Sequence, residues 1–203
     1  MFPFDVILFD VGGVLLTNGW DHDERARVVS SFGLSVPEFE ARHLAPYDAW
    51  ERGATPIKDY LDATIFYQPR SFSQQDIYQV MLAQSRVLDD GALGILHQLV
   101  ASNKCLVGAL NNEARETNEY RFKKFGLRNL FSVALSSCYL GLRKPAPAIY
   151  LRALDILGRP AERVLFIDDR QENVGAAVSV GMKAVQFTGA EALQSELVSL
   201  GVI

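Results

Sequence analysis

The chain has 203 residues, a length suited to one core or to a core carrying an insertion. Its composition, 49% hydrophobic and 22% charged, is that of a globular domain and excludes disordered, collagen-like and disulfide-scaffold classes. Twenty Lys and Arg against 24 Asp and Glu leave a formal net charge of -4, without the basic excess that a nucleic-acid partner requires.

In chain order, the first residues hold Asp5 and Asp10 with only the apolar run Val6 to Phe9 between them, which is no signal peptide. The longest charge-free stretch, Asn129 to Leu142, contains Gly141 and several polar residues and falls short of the ~20 apolar residues of a membrane span. A cytoplasmic protein with no membrane partner is the expectation.

Short apolar or β-branched runs at Phe4 to Phe9, Cys105 to Leu110, Phe131 to Leu135, Val164 to Ile167 and Ala184 to Phe187 read as buried parallel strands. Helical stretches lie between and after them, at Gly91 to Ala101, Ala114 to Phe125, Ala146 to Leu157, Asn173 to Val180 and Glu191 to Leu200. This alternation predicts an α/β fold with a doubly wound, Rossmann-like parallel sheet.

One segment breaks it: from about Thr17 to Leu88 no strand run appears, so an all-α insertion follows the first strand. The expected division is a core of residues 1–16 and 89–203 and a helical unit of residues 17–88, joined by short hinges. In the insertion Thr55 reads as an N-cap before Pro56, with Ile57, Tyr60, Leu61 and Ile65 on one helix face, and Ser73 with Asp76 as a second cap. Both tryptophans and 10 of the 21 aromatic residues fall here, enough for a small core of its own. His22, His43, Trp20, Trp50, Glu51 and Arg52 are read as ordinary core or helix-surface residues, and Cys105 and Cys138 as small core hydrophobes.

Four places carry chemistry. Strand Val6 to Phe9 runs into Asp10, Val11, Gly12 and Gly13, placing a carboxylate at the ligand-binding edge of the sheet. The second strand ends in Asn111 and Asn112 ahead of a helix, where amide donors and helix N–H groups suit a phosphate. Lys144 stands immediately before Pro145, which restricts its backbone to extended conformations. The fourth strand terminates in Asp168 and Asp169, adjacent like charges that call for a cation; oxygen-only ligands without a His cluster point to Mg²⁺ rather than zinc.

In this order, with a helical insertion after the first, these segments resemble the haloacid dehalogenase superfamily of aspartate-nucleophile hydrolases over nearly the whole chain. The resemblance implies that Asp10 is the nucleophile and that Asp10, Asp169 and the Gly12 carbonyl hold Mg²⁺, with Asp168 as an outer or alternative ligand. It also implies that Lys144 neutralises the nucleophile and the phosphoryl oxygens. Asn111 stands where the family has Ser or Thr to hold the phosphoryl group, and the Val11 and Asn112 N–H groups complete the cradle. The helical insertion resembles the family's small cap.

The implied function is Mg²⁺-dependent hydrolysis of a small phosphorylated metabolite, a sugar phosphate or nucleotide, through an aspartyl-phosphate. Two departures stand out: Gly12 replaces the Asp that serves as general acid and base, and Asn111 replaces Ser or Thr. They motivate an alternative, a phosphate-ligand or protein-binding module without catalysis. A third reading, a metal-independent 2-haloacid dehalogenase, is opposed by Gly12 and by the pair Asp168 and Asp169.

Overall fold

The computed structural model describes residues 2–203. Its elements are β1 (Val6–Phe9), α1 (His22–Ser31), α2 (Val36–Glu51), α3 (Ile57–Thr64), α4 (Gln74–Ala83), α5 (Asp90–Ser102) and β2 (Leu106–Ala109). They continue as α6 (Arg115–Lys124), β3 (Val133–Ala134), α7 (Ser137–Leu140), α8 (Pro147–Leu157), β4 (Val164–Asp168), α9 (Gln171–Ser179), β5 (Lys183–Gln186) and α10 (Ala190–Ser199).

The strands form one parallel sheet in the order β3-β2-β1-β4-β5. All four residues of β1 are buried because helices cover both faces, which is why the strand reads as an unbroken apolar run. Ile7 and Phe9 pack with Leu96, Leu99 and Leu193 of α5 and α10. Val6 and Leu8 pack on the other face with Ile149, Tyr150 and Ala177 of α8 and α9.

The register sets Phe9 beside Ala109 on one flank and Ile167 on the other, so the carboxyl ends of β1, β2 and β4 lie side by side. Strand order reverses at β1, and the crevice above such a switch point is where open α/β sheets bind ligands.

Helices α1 to α4 gather around Trp20, Phe39, Trp50, Tyr60 and Ile77, a cluster separate from the two that flank the sheet. Ser73 and Asp76 form the reciprocal cap of α4, Asp76 N–H donating to Ser73 Oγ at 3.2 Å and Ser73 N–H to Asp76 Oδ2 at 2.8 Å. The start of α3 corrects the sequence expectation by one position: Pro56, not Thr55, is the N-cap. Thr55 is not needed there because the Ile57 N–H donates to Glu116 Oε1 at 2.9 Å, a partner from α6. The two ends of the helical segment meet beside the sheet, where Thr17 N–H donates to the Arg86 carbonyl and Leu88 N–H to the Leu15 carbonyl, both at 3.0 Å.

Several contacts seat α2 and the turn after it on α6, α7 and the loop before α8. Trp50 Nε1 donates to Glu116 Oε2 at 3.1 Å, Ser137 Oγ donates to the Glu51 carbonyl at 2.7 Å, and Arg143 pairs with Asp48 at 2.8 Å and with Glu51. Gly53, at φ +70°, lies so close to Cys138 that a Cβ there would sit 2.2 Å from its carbonyl oxygen. Among the described residues, no helix is long and apolar enough to cross a membrane.

Candidate active site

The three strand ends bring together residues that lie far apart in sequence. Asp10 follows β1, Asp168 closes β4, and Lys144 reaches between them from the loop before α8, its Nζ 2.9 Å from Asp10 Oδ1 and 2.6 Å from Asp168 Oδ2. All three are buried, so the ammonium offsets a repulsion that water does not screen. Burial pushes Asp10 up to about 7 while Lys144 pulls it down. Burial alone would lower Lys144; the Asp10 and Asp168 carboxylates outweigh it and hold the lysine above its ordinary value.

Asp168 is saturated by protein donors. Besides Lys144 it accepts from Asn173 Nδ2 at 2.9 and 3.0 Å and from the Arg170 N–H at 2.8 Å. Asp169 is its opposite: its Oδ1 is buried with no partner, and its pKa is raised by burial and by the neighbouring Asp168. Oxygens of Asp10, Asp168 and Asp169 lie within 4.8 Å of one another. Gly13, at φ +79°, permits this approach, since a Cβ there would stand 2.4 Å from Asp169 Oδ2. An orphaned buried carboxylate oxygen within an all-oxygen cluster fits a hard divalent cation.

The other expected residues are placed differently. Asn112 lines the crevice, but its side chain turns to Lys144, accepting from the Lys144 N–H and donating to the Lys144 carbonyl, each at 2.9 Å. The Asn111 amide, expected to hold a phosphoryl group, is engaged inside the protein: Nδ2 donates to Asn118 Oδ1 at 3.0 Å and Oδ1 accepts from Ser136 at 2.8 Å. One Nδ2 hydrogen and the Oδ1 of this 2% exposed amide thus have partners inside the protein. The Val11 N–H, expected in the cradle, donates to Asp10 Oδ1 at 2.8 Å. Gly12 lines the crevice beside Asp10.

Above these groups lies a cavity of about 470 Å³, within the range of small-molecule sites. Its far wall comes from the helical segment and includes Trp20, Arg25, His43, Tyr47 and Glu51, with Arg143 beside Lys144. Tyr47 donates to Glu51 at 2.5 Å, and the buried Glu51 is raised by desolvation against the pull of Arg143. Sequence reading treated His43, Trp20 and Glu51 as ordinary and gave Asn173 and Arg143 no role. The position of Asn173 five residues after Asp168, at the start of a helix, was the one local signal available.

A buried Asp–Lys–Asp array at the switch point of a parallel sheet, with a helical unit seated over it, defines a class of hydrolase. The family model for haloacid dehalogenase-like hydrolases matches residues 4–181, and the chain belongs to that family. It is a hydrolase of the phosphatase type found among its relatives. The chain is 36% identical to a sesquiterpene phosphatase of Aspergillus oryzae over 202 residues, covering 96% of this chain and 95% of the relative. It is 28% identical to the chloroplast flavin mononucleotide hydrolase 1 of Arabidopsis thaliana, covering 97% and 78%. It is also 26% identical to a phosphorylated carbohydrates phosphatase of Thermotoga maritima, covering 89% and 83%. In fold it is similar to a HAD family enzyme of Bacteroides thetaiotaomicron solved as a magnesium complex, with a TM-score of 0.80 at 19% identity over 96% of this chain and 98% of that one.

Proposed function

We propose that this chain hydrolyses a small polar phosphomonoester, a sugar phosphate or a nucleotide-like compound, through an aspartyl-phosphate on Asp10. The observation that carries this reading is Lys144 held between Asp10 and Asp168 at the floor of the cavity. A carboxylate attacking a phosphate dianion meets repulsion, and a buried ammonium fixed at 2.9 Å from the attacking oxygen's own carboxylate offsets it without reorganisation.

The Asp10 carboxylate attacks phosphorus, a new P–O bond forms and the bond to the leaving oxygen breaks. Water then attacks the same phosphorus, releasing inorganic phosphate and regenerating Asp10. Asp10, Asp169 and the Gly12 carbonyl would hold Mg²⁺, with Asp168 outside its ligand sphere; the ion supplies positive charge against the nucleophile and the phosphoryl oxygens. Asn112 orients Lys144 through its backbone, and Asn173 and Arg170 fix the Asp168 carboxylate that orders the ammonium. The helical segment, residues 17–88, acts as a cap that excludes water and selects the leaving group.

Position 12 offers no proton to the leaving group, so turnover depends on how readily that group departs. The cavity wall of arginine, histidine, tyrosine and glutamate supports a leaving group rich in oxygen.

The test is hydrolysis of p-nitrophenyl phosphate by wild type and Asp10→Asn, each with Mg²⁺ and with chelator. Activity needing both Asp10 and the metal is the expected result. Wild-type rates in Asp10→Asn would overturn the nucleophile, and silence in every arm would shift the reading to a binding module. A signal that resists chelator but needs Asp10 would direct the search to haloacids.

A further inference from the structure

The cap wall contains a hydrogen-bond relay that the proposed chemistry does not use. Trp20 Nε1, which can only donate, stands 2.6 Å from Tyr60 Oη, and His43 Nδ1 stands 2.8 Å from the same oxygen. Tyr60 is buried, so its own hydroxyl hydrogen needs an acceptor, and the imidazole Nδ1 is the one in reach. That bond leaves Nδ1 with a lone pair and the proton of a neutral ring on Nε2.

The ring is held from several sides. Phe39 stacks on it with centroids 5.6 Å apart, Tyr47 lies at 4.4 Å, and Tyr60 meets it edge-on at 5.9 Å. His43 is 1% exposed yet lines the cavity with Asp10 and Lys144. Charging it is opposed by burial and by the Arg25 guanidinium, favoured by Glu40 and opposed again by Arg143, and the balance lowers its pKa to about 4.

The neighbouring guanidinium groups are held by carboxylates, although Arg143 Nε keeps no partner. Arg25 gives Nε and Nη2 to Glu40 and Nη1 to the Trp20 carbonyl, while Arg143 pairs with Asp48 and Glu51. Among the described residues His43 Nε2 has no protein partner.

Resting on the phosphomonoester reading, we propose that His43, as a neutral imidazole protonated on Nε2, is the specificity-determining donor for an acceptor atom on the leaving-group half of the substrate. A hydroxyl, ring oxygen or heterocyclic nitrogen satisfies this donor; a hydrocarbon leaves it unpaired in a buried wall. The preference for an oxygen-rich leaving group over an isoprenoid one is worth roughly 10- to 100-fold. The donor is not an acid, because a ring that stays neutral at pH 7 has no proton to release to an alkoxide without becoming an anion.

The tautomer is read by long-range proton–nitrogen NMR on histidine-labelled protein, whose only imidazoles are His22, His43 and His97. One ring, assigned through His43→Gln, is expected as the Nε2–H tautomer and to stay neutral down to about pH 5. Tyr60→Phe keeps the ring stack, removes the donor to Nδ1 and should release the ring to a tautomer mixture. An Nδ1–H tautomer, or an imidazolium at pH 6, would overturn the assignment. The same signal is then followed in Asp10→Asn on adding glucose 6-phosphate, AMP, flavin mononucleotide or farnesyl monophosphate. A shift of the His43 Nε2 resonance with at least one polar phosphate and none with the isoprenyl one is expected. No shift with any polar phosphate, or an equal shift with the isoprenyl one, would reject the specificity role. The p-nitrophenyl phosphate assay judges the phosphomonoester reading separately.

Discussion

The Asn112 side chain grips the backbone of Lys144 at two points, its Oδ1 accepting from the lysine N–H and its Nδ2 donating to the lysine carbonyl, both at 2.9 Å. The same residue type that suggests a phosphate donor in sequence thus serves in the fold to fix the ammonium between two carboxylates.

Asn112→Ala frees both backbone groups of Lys144 and is expected to cost about 1–3 kcal/mol of stability. Because a small misplacement of a charge-stabilising group lowers rate steeply, kcat on an aryl phosphate should fall roughly 10-fold or more. Urea unfolding and steady-state kinetics read the two effects; an unchanged kcat in a folded variant would remove the positioning role.

In metal-free protein, Lys144→Met leaves the buried Asp10 and Asp168 carboxylates without the ammonium that stands between them. Loss of one partner from a buried ionic array costs about 3–5 kcal/mol, and activity should vanish. Adding Asp168→Asn removes the like charge and should restore part of the stability while leaving the enzyme inactive. Denaturant titrations of the single and double variants measure this; a single variant as stable as wild type contradicts the ionised array.

Gly12→Asp tests the missing acid. A Cβ at position 12 would meet Asn18 Oδ1 at 3.3 Å, a contact that a small shift accommodates. A carboxyl there should raise turnover of alkyl phosphates by about 10²-fold or more, with little change on aryl phosphates whose leaving groups need no proton. Equal rates on alkyl phosphates, with the fold intact, would mean that the proton already comes from elsewhere.

Gly53→Ala probes the seating of the helical segment. Its new Cβ would meet the Cys138 carbonyl at 2.2 Å, whereas Gly33→Ala, at a similar φ of +68°, meets nothing within 4 Å. Both variants incur the backbone strain of a left-handed conformation, about 1–2 kcal/mol, and only Gly53→Ala pries the α2–α3 turn from α7. Faster amide exchange in that turn and a raised KM are expected for Gly53→Ala alone; matching behaviour of the two would show that the contact is unimportant.

How much of this was legible beforehand depends on the range of the signal. β1 and β4 were readable because a strand buried on both faces is a local apolar run, and β2, β3 and β5 as shorter, partly buried apolar or β-branched runs, although strand ends moved by one or two residues, as at β1, which begins at Val6 rather than Phe4. The carboxylates were readable for the same reason, since Asp10, Asp168 and Asp169 stand where those runs stop. The partners of Asn111, Asn118 and Ser136, come from other elements, so its hydrogen bonds are not legible in its own segment.

The sequence by itself determined the alternation of strands and helices, the break in it from Thr17 to Leu88, and the acidic residues at the strand ends, because each is encoded by neighbours along the chain. Only the tertiary structure decided which side chains those residues meet. Asn112 and Lys144 are 32 positions apart, Arg143 and Asp48 are 95, and Trp50 and Glu116 are 66. Hydrogen bonds and ion pairs act over a few ångströms of space and leave no periodic trace in sequence at such separations, so the orientation of Lys144, the saturation of Asp168 and the relay from Trp20 to His43 became visible only in the folded chain.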